Sequence, residues 1–166
     1  MRKLWAPWRM VYIKGMDKDV DCIFCDRPKR GIQFESLVVH IEKDAFVILN
    51  RYPYNSGHVM VVPTRHVNHP SKLSREERGA LMDLLNRTCE VVGAVYRPQG
   101  LNVGMNIGRV AGAGIDEHIH FHIVPRWGGD TNFMPVIGQT KIISEALEES
   151  FDLLKQGFAD LIGKSQ

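Results

Sequence analysis

The sequence predicts an α+β fold, a five-stranded antiparallel sheet covered by two main helices, and three observations predict it. β-rich and helical segments follow one another as three strands, a helix, two strands and a last helix, an order that closes into a sheet with helices packed on it. A length of 166 residues fits one globular domain, able to bury roughly two-thirds of its unfolded surface. Hydrophobic residues make up 44% and charged residues 24%, ordinary values that exclude wholesale disorder.

The elements run as follows. Leu37-Val38-Val39-His40-Ile41 is the first β-rich run and Ala45-Phe46-Val47-Ile48-Leu49 the second, joined by the turn Glu42-Lys43-Asp44. Tyr52-Pro53-Tyr54-Asn55-Ser56-Gly57 is turn chemistry, and His58-Val59-Met60-Val61-Val62 is a third strand that Pro63 stops. Ser74 with Glu77 three residues later is a capping box, and Leu81, Leu84, Leu85, Thr88, Val92 and Val95 recur at helical spacing behind it. Pro98-Gln99-Gly100 ends that helix. A fourth strand spans roughly 101–107, a fifth roughly 117–124, and a last helix about 142–161 closes the chain within a segment bounded by 141 and 163.

Charge and cysteine content exclude several function classes. The net charge is +2, too balanced to argue for nucleic acid. No apolar run reaches the ~18 residues needed to cross a bilayer, and no signal-peptide apolar core stands at the N-terminus. Three cysteines, Cys22, Cys25 and Cys89, are too few and too odd for a disulfide framework. The chain therefore reads as cytoplasmic. Residues 1–15 carry Trp5 and Trp8 around Pro7 and show no clean helical face, which favours an arm packed on this domain or on a partner subunit over a membrane anchor.

The informative stretch is His118-Ile119-His120-Phe121-His122-Ile123-Val124. On a strand the three imidazoles line one face about 7 Å apart, while Ile119, Phe121 and Ile123 line the other and join the core. Three imidazoles suggest a catalytic zinc, yet residues i and i+4 lie ~13 Å apart and ligands of one zinc within ~4 Å of each other, so a single strand cannot gather all three. The alternative is an imidazole nucleophile that attacks phosphorus and splits a displacement into two easier steps. Just upstream, Asn106-Ile107-Gly108-Arg109-Val110-Ala111-Gly112-Ala113-Gly114 packs three glycines into a turn whose amides can cradle phosphate oxygens. It matches neither a Walker A loop nor a dinucleotide fingerprint.

The run His118 to Val124 resembles, at every position, the signature of the histidine triad (HIT) superfamily, H-φ-H-φ-H-φ-φ with φ apolar. Asn106-x-Gly108, Ala111-Gly112 and Gly57-His58-Val59-Met60-Val61-Val62-Pro63-x-x-His66 resemble its other landmarks. The flanks Leu4-Trp5-Ala6-Pro7-Trp8-Arg9 and Val124-Pro125-Arg126-Trp127-Gly128-Gly129-Asp130-Thr131-Asn132-Phe133 are similar to the bacterial branch that includes diadenosine tetraphosphate phosphorylases. The resemblance covers roughly residues 22–126 of a chain read as a single HIT domain over 1–166, and it implies a homodimer with one nucleotide site per subunit.

By position, the resemblance also implies that His120 attacks the α-phosphorus of a nucleotide and forms a nucleotidyl intermediate. His122 then contacts the scissile phosphate, His58 stands near the leaving phosphates, and Asn106 hydrogen-bonds the phosphate with the amides around Gly112 and Gly114. Phe46, Ile48 and Asn50 alternate on one face of the second strand, where family counterparts line the nucleoside pocket; Phe46 and Ile48 read equally well as core, while Asn50 suits the ribose hydroxyls. The acceptor is phosphate or water, with dinucleoside polyphosphates as substrate and nucleoside phosphoramidates as the alternative. A nucleotide sensor with a vestigial triad is a third reading, against which the intact triad and glycine turn weigh. Cys22-Ile23-Phe24-Cys25 could be a redox dithiol, a pair of buried thiols or half of a zinc site. Family members with this pair complete it with counterparts of His66 and His118; His69 and His40 are possible substitutes for His66.

Overall fold

The computed structural model describes residues 21–130 and 145–163. The arm expected over 1–15 and the flank 131–133 lie outside the described residues; the last helix, expected from about 142, begins later, at Leu147, because 145 and 146 are not helical.

A one-turn helix, α1 (Ile23–Asp26), leads through short 3-10 turns into β1 (Val38–Ile41), β2 (Ala45–Leu49) and β3 (Val59–Pro63). Helix α2 (Arg75–Tyr96) follows, then β4 (Gly100–Met105), β5 (Phe121–Arg126) and α3 (Leu147–Gly163). All strand pairs are antiparallel and the sheet order is β1-β2-β3-β5-β4. The expected α+β architecture is the observed one.

The capping box at α2 forms as the sequence predicts. Ser74 Oγ accepts from the Glu77 amide at 3.2 Å, and Glu77 Oε2 accepts from the Ser74 amide at 2.6 Å. Leu81, Leu84, Leu85, Thr88 and Val92 are buried and Val95 is half-buried, so the periodic stripe is the packed face. Helix α3 lies against it because Gly157 has no side chain: a Cβ there would meet Val95 Cγ2 at 2.8 Å and Val91 Cγ1 at 2.9 Å.

Register separates the two faces of the sheet. His40 pairs with Val47 and its ring stacks on Phe158 of α3 at 4.5 Å, so the face of Val47 is the one under the helices. The opposite face holds Ile48, paired with Met60, and His122, also paired with Met60. By alternation Phe46 shares it, and continuing the β2–β3 register one step past Leu49↔Val59 sets Asn50 opposite His58 on the same side.

The fifth strand differs from the sequence expectation. It begins at Phe121, not near Glu117, because the Ile119 amide donates to Val67 O at 2.8 Å and draws 118–120 toward the loop after β3. It also runs through Pro125, which pairs with Leu101 on β4 while the β3 pairing ends at Ile123. Proline is tolerated where one side of a strand has no ladder partner. The fourth strand ends at Met105, two residues short of the expected 107.

Candidate active site and metal cluster

Two chemical sites share the segment 118–122. His118 is fully buried, and its Nε2–H donates to Pro63 O at 2.9 Å, which leaves Nδ1 with a lone pair. That Nδ1 faces Cys22 Sγ at 3.5 Å and Cys25 Sγ at 3.7 Å, while His66 Nδ1 approaches Cys25 Sγ at 3.2 Å. The four ligand atoms lie within 4.8 Å of one another.

A tetrahedral ion with bonds of about 2.3 Å to sulfur and about 2.0 Å to nitrogen separates its S and N ligands by about 3.6 Å. The observed spacings bracket that value, so Cys22, Cys25, His66 and His118 could hold one metal ion. Protonation states agree. Burial, as the main cause, pushes His118 down to about 4, so its imidazole is neutral, the ligating form. Burial and the facing Cys22 thiol push Cys25 up to about 11; a cation between the two sulfurs would reverse this. The Pro63 carbonyl is the outer partner that holds the His118 ring in the ligating tautomer. Of the possible substitutes for His66, His40 stacks on Phe158 and approaches Glu42 at 3.0 Å, and His69 accepts from the Ser71 amide; neither belongs to the cluster.

The same segment turns the next two imidazoles to other work. His120 Nδ1–H donates to His118 O at 2.9 Å, leaving the lone pair on Nε2, the atom a nucleophile needs. His120 is 4% exposed, and burial holds its pKa below the usual histidine value, which keeps that lone pair unprotonated at neutral pH. Its ring lies 4.9 Å from His122 in edge-to-face contact.

His58 and His122 meet at 3.0 Å, Nε2 to Nδ1. The Tyr54 amide donates to His58 Nδ1 at 3.0 Å, so the His58 proton sits on Nε2 and points at His122 Nδ1. A neutral His122 then carries its own proton on Nε2. Asn50 stands beside them, its Nδ2 at 3.4 Å from His58 Nδ1 and its Oδ1 accepting from the Tyr52 amide at 3.0 Å.

The remaining expected site residues are placed as follows. Phe46 and Ile48 are each 1% exposed and belong to the buried cluster, on the histidine face. Asn106 directly follows β4, and the Gly104↔His122 and Met105↔Phe121 pairs, continued one step, set it opposite His120. Gly112 adopts φ +94°, and its amide donates to Arg109 O at 3.0 Å; Ala111 and Ala113 donate to Gly108 O, so these three amides close the turn on itself. Gly114 is exposed at the turn's end.

Sequence reasoning missed two neighbours. Phe24, between the two cysteines, packs on His118 at 5.5 Å and on His120 at 4.9 Å; an apolar residue caught between candidate ligands was the available signal. Tyr54 stacks on His58 at 4.8 Å and donates its amide, and a main-chain donor leaves no trace in residue type.

Two adjoining histidine arrangements on an α+β sheet define the class. The sequence pattern of the HIT domain matches residues 32–129, more than half of the chain, and the chain belongs to the HIT family. It is 39% identical over 167 residues to the AP-4-A phosphorylase of Mycobacterium tuberculosis, covering 96% of this chain and 85% of that one. It is 33% identical over 107 residues to the adenosine 5′-monophosphoramidase of Schizosaccharomyces pombe, covering 64% of this chain and 75% of that one. Among solved structures, a zinc-bound histidine triad protein from Mycobacterium smegmatis superposes with a TM-score of 0.69 at 23% identity, over 87% of this chain and 97% of that one.

Proposed function

We propose that the chain is a nucleotidyl-transferring enzyme that cleaves dinucleoside polyphosphates at the α-phosphorus, with His120 as nucleophile. The observation that carries this reading is the bond from His120 Nδ1 to His118 O, which leaves Nε2 its lone pair, with the ring 4.9 Å from that of His122, whose Nδ1 meets His58 Nε2 at 3.0 Å. In the first step His120 Nε2 bonds to phosphorus as the P–O bond to the departing polyphosphate breaks, and the electron pair leaves with that oxygen. The Nδ1–H of the now cationic His120 stays on His118 O, and the His122 Nε2–H hydrogen-bonds the departing oxygen where charge develops. In the second step an oxygen of phosphate, or of water that gives up its proton to solvent, bonds to phosphorus as the N–P bond breaks and its pair returns to His120 Nε2. Asn106, opposite His120 at the end of β4, and the amide of Gly114 hold the phosphoryl oxygens, while Gly112 shapes that turn. Asn50 meets the ribose, with Phe46 and Ile48 behind it on the same face.

The 39% identity to an AP-4-A phosphorylase supports diadenosine tetraphosphate as substrate and phosphate as acceptor. The likeness to a monophosphoramidase favours nucleoside phosphoramidate hydrolysis as the second reading. Incubation with diadenosine tetraphosphate, with and without phosphate, separates them. Phosphate-dependent release of ADP is expected; phosphate-independent release of AMP contradicts phosphorolysis.

The metal we assign to the Cys22, Cys25, His66 and His118 cluster is zinc, because two thiolates and two imidazoles in a closed tetrahedral set suit a structural zinc. When bound it supplies a rigid cross-link. His118 would then be anchored at its ring while its carbonyl orients His120. Free cysteines are in keeping with a reducing, cytoplasmic setting. Homodimerisation is supported by β4, which ends the sheet with Asn102, Val103 and Gly104 exposed, an edge that a second copy could pair. Among the described residues no helix is long and apolar enough to cross a membrane.

A further inference from the structure

We propose that the main-chain amide of Tyr54, fixed in place by an Asn55–Asp130 anchor, sets the tautomer of His58 and through it which nitrogen of His122 carries the proton toward the leaving group. The proposal rests on the reading in which His122 faces the departing oxygen. It names Tyr54, Asn55 and Asp130 as positioning residues of that site.

The anchor is built from buried polar groups. Asn55 is 8% exposed, and its Nδ2 donates to Pro125 O at 2.9 Å and to Asp130 Oδ2 at 2.8 Å. Asp130 is itself held by Arg126, which donates from Nε at 2.6 Å and Nη2 at 2.9 Å, and by the Trp127 amide at 3.2 Å. The loop after β2 is thereby fastened to the far end of β5. Its near end is fastened by Asn50 Oδ1, which accepts from the Tyr52 amide. Between the two fastenings the Tyr54 amide meets His58 Nδ1 at 3.0 Å.

The consequence follows from donor and acceptor counting. An N–H can only point at a lone pair, so the Tyr54 amide excludes the Nδ1–H tautomer of His58. His58 is fully buried, where an amide and an Nδ1–H facing each other would leave two donors unsatisfied. His58 must therefore donate from Nε2 to His122 Nδ1, and His122 must keep its proton on Nε2. Without the amide the donor left beside Nδ1 is Asn50 Nδ2, farther off at 3.4 Å and equally near Nε2 at 3.5 Å, so it no longer selects one nitrogen and both chains of donation become available. In the reversed one His122 turns a lone pair toward the leaving oxygen instead of a proton.

The test uses 15N-histidine-labelled full-length protein and two variants, Tyr54→Pro, which deletes the N–H, and Asn55→Ala, which loosens the anchor. Tyr54→Phe keeps the amide and serves as the rescue control. In wild type and Tyr54→Phe, the 15N shifts should report Nδ1 of His58 as an acceptor and Nε2 as protonated. In Asn55→Ala, and in Tyr54→Pro where it folds, both nitrogens should move toward averaged values. Rates on aryl esters of AMP supply the second readout. Loss of a positioned donor should slow the phenyl ester on the order of tenfold, with KM little changed, and the nitrophenyl ester far less, because a good leaving group carries its charge with little help from a hydrogen bond. An Nδ1-protonated His58 in wild type, or an unchanged tautomer and leaving-group dependence in folded variants, would overturn the proposal. The expected shifts without nucleotidyl transfer on any ester would overturn the proposed function instead and leave the tautomer assignment standing.

Discussion

Truncating Phe24 to alanine should reveal how closely the candidate metal cluster and the proposed nucleophile are tied. Phe24 is 1% exposed and its ring packs on both His118 and His120. Replacing a buried phenyl ring by a methyl group costs about 3–5 kcal/mol when the surroundings do not collapse into the space. Collapse is opposed here, because Cys22 and Cys25 on either side of Phe24 approach His118 and His66 in the candidate cluster and hold the one-turn α1 in place. For a chain of this size each kcal/mol lowers Tm by roughly 2–4 °C, so a drop of about 6–20 °C is expected. The variant should also admit water to His120, whose pKa is held down chiefly by burial, so the acid limb of the kcat/KM profile should move to higher pH. Thermal melts and a pH–rate profile of the same preparation read both effects. A Tm within about 2 °C of wild type would show that Phe24 is not a packed partner of the two histidines, and an unmoved acid limb would show that it does not shield His120.

Other perturbations probe the remaining links. Cys22→Ser should lower zinc content from the proposed value of about one per chain, lower Tm, and leave residual turnover, since the imidazoles proposed to react are not among the candidate ligands; metal analysis finding no stoichiometric zinc in wild-type protein purified without chelator would retire the assignment. His118, held down to about 4 chiefly by burial, is neutral when folded and protonates near 6.5 when unfolded. The unfolded chain therefore binds more protons between those values, and the stability of chelator-treated protein should fall as pH is lowered from 6.5 to 4; a rise over that window would contradict the burial of His118. Gly157→Ala should destabilise despite better helix propensity, since overpacking at about 1–3 kcal/mol outweighs a gain of at most about 1. Gly79→Ala, with nothing within 4 Å of its Cβ, should instead stabilise, and equal denaturation midpoints for the two would refute the α2–α3 contact.

Much of this was legible in the sequence because local patterns carried it. The capping box at Ser74, the apolar stripe of α2 and the bounds of β2 follow from side-chain chemistry within a few residues, and they appear as read. The ligand set Cys22, Cys25, His66 and His118 was reached through family resemblance and comes together within 4.8 Å; spacing alone could not choose among His40, His66 and His69. The start of β5 was misplaced because alternation at 117–120 looks like strand, whereas a main-chain bond from Ile119 to Val67 decides the path. Tyr54 was invisible for a related reason: its contribution is an amide hydrogen, which nearly every residue possesses. Phe46 and Ile48 read as core or pocket wall, and their burial on the histidine face accommodates both.

The measurement closest to the central claim is rapid quenching of the enzyme with diadenosine tetraphosphate labelled at the α-phosphorus, followed by mapping of the labelled peptide. Acid-labile, alkali-stable label should appear on the peptide carrying His120 within one turnover and be absent in His120→Ala, which still binds nucleotide. Turnover by His120→Ala at near wild-type rate, or an active wild-type enzyme that never carries the label, would contradict nucleophilic attack by this imidazole.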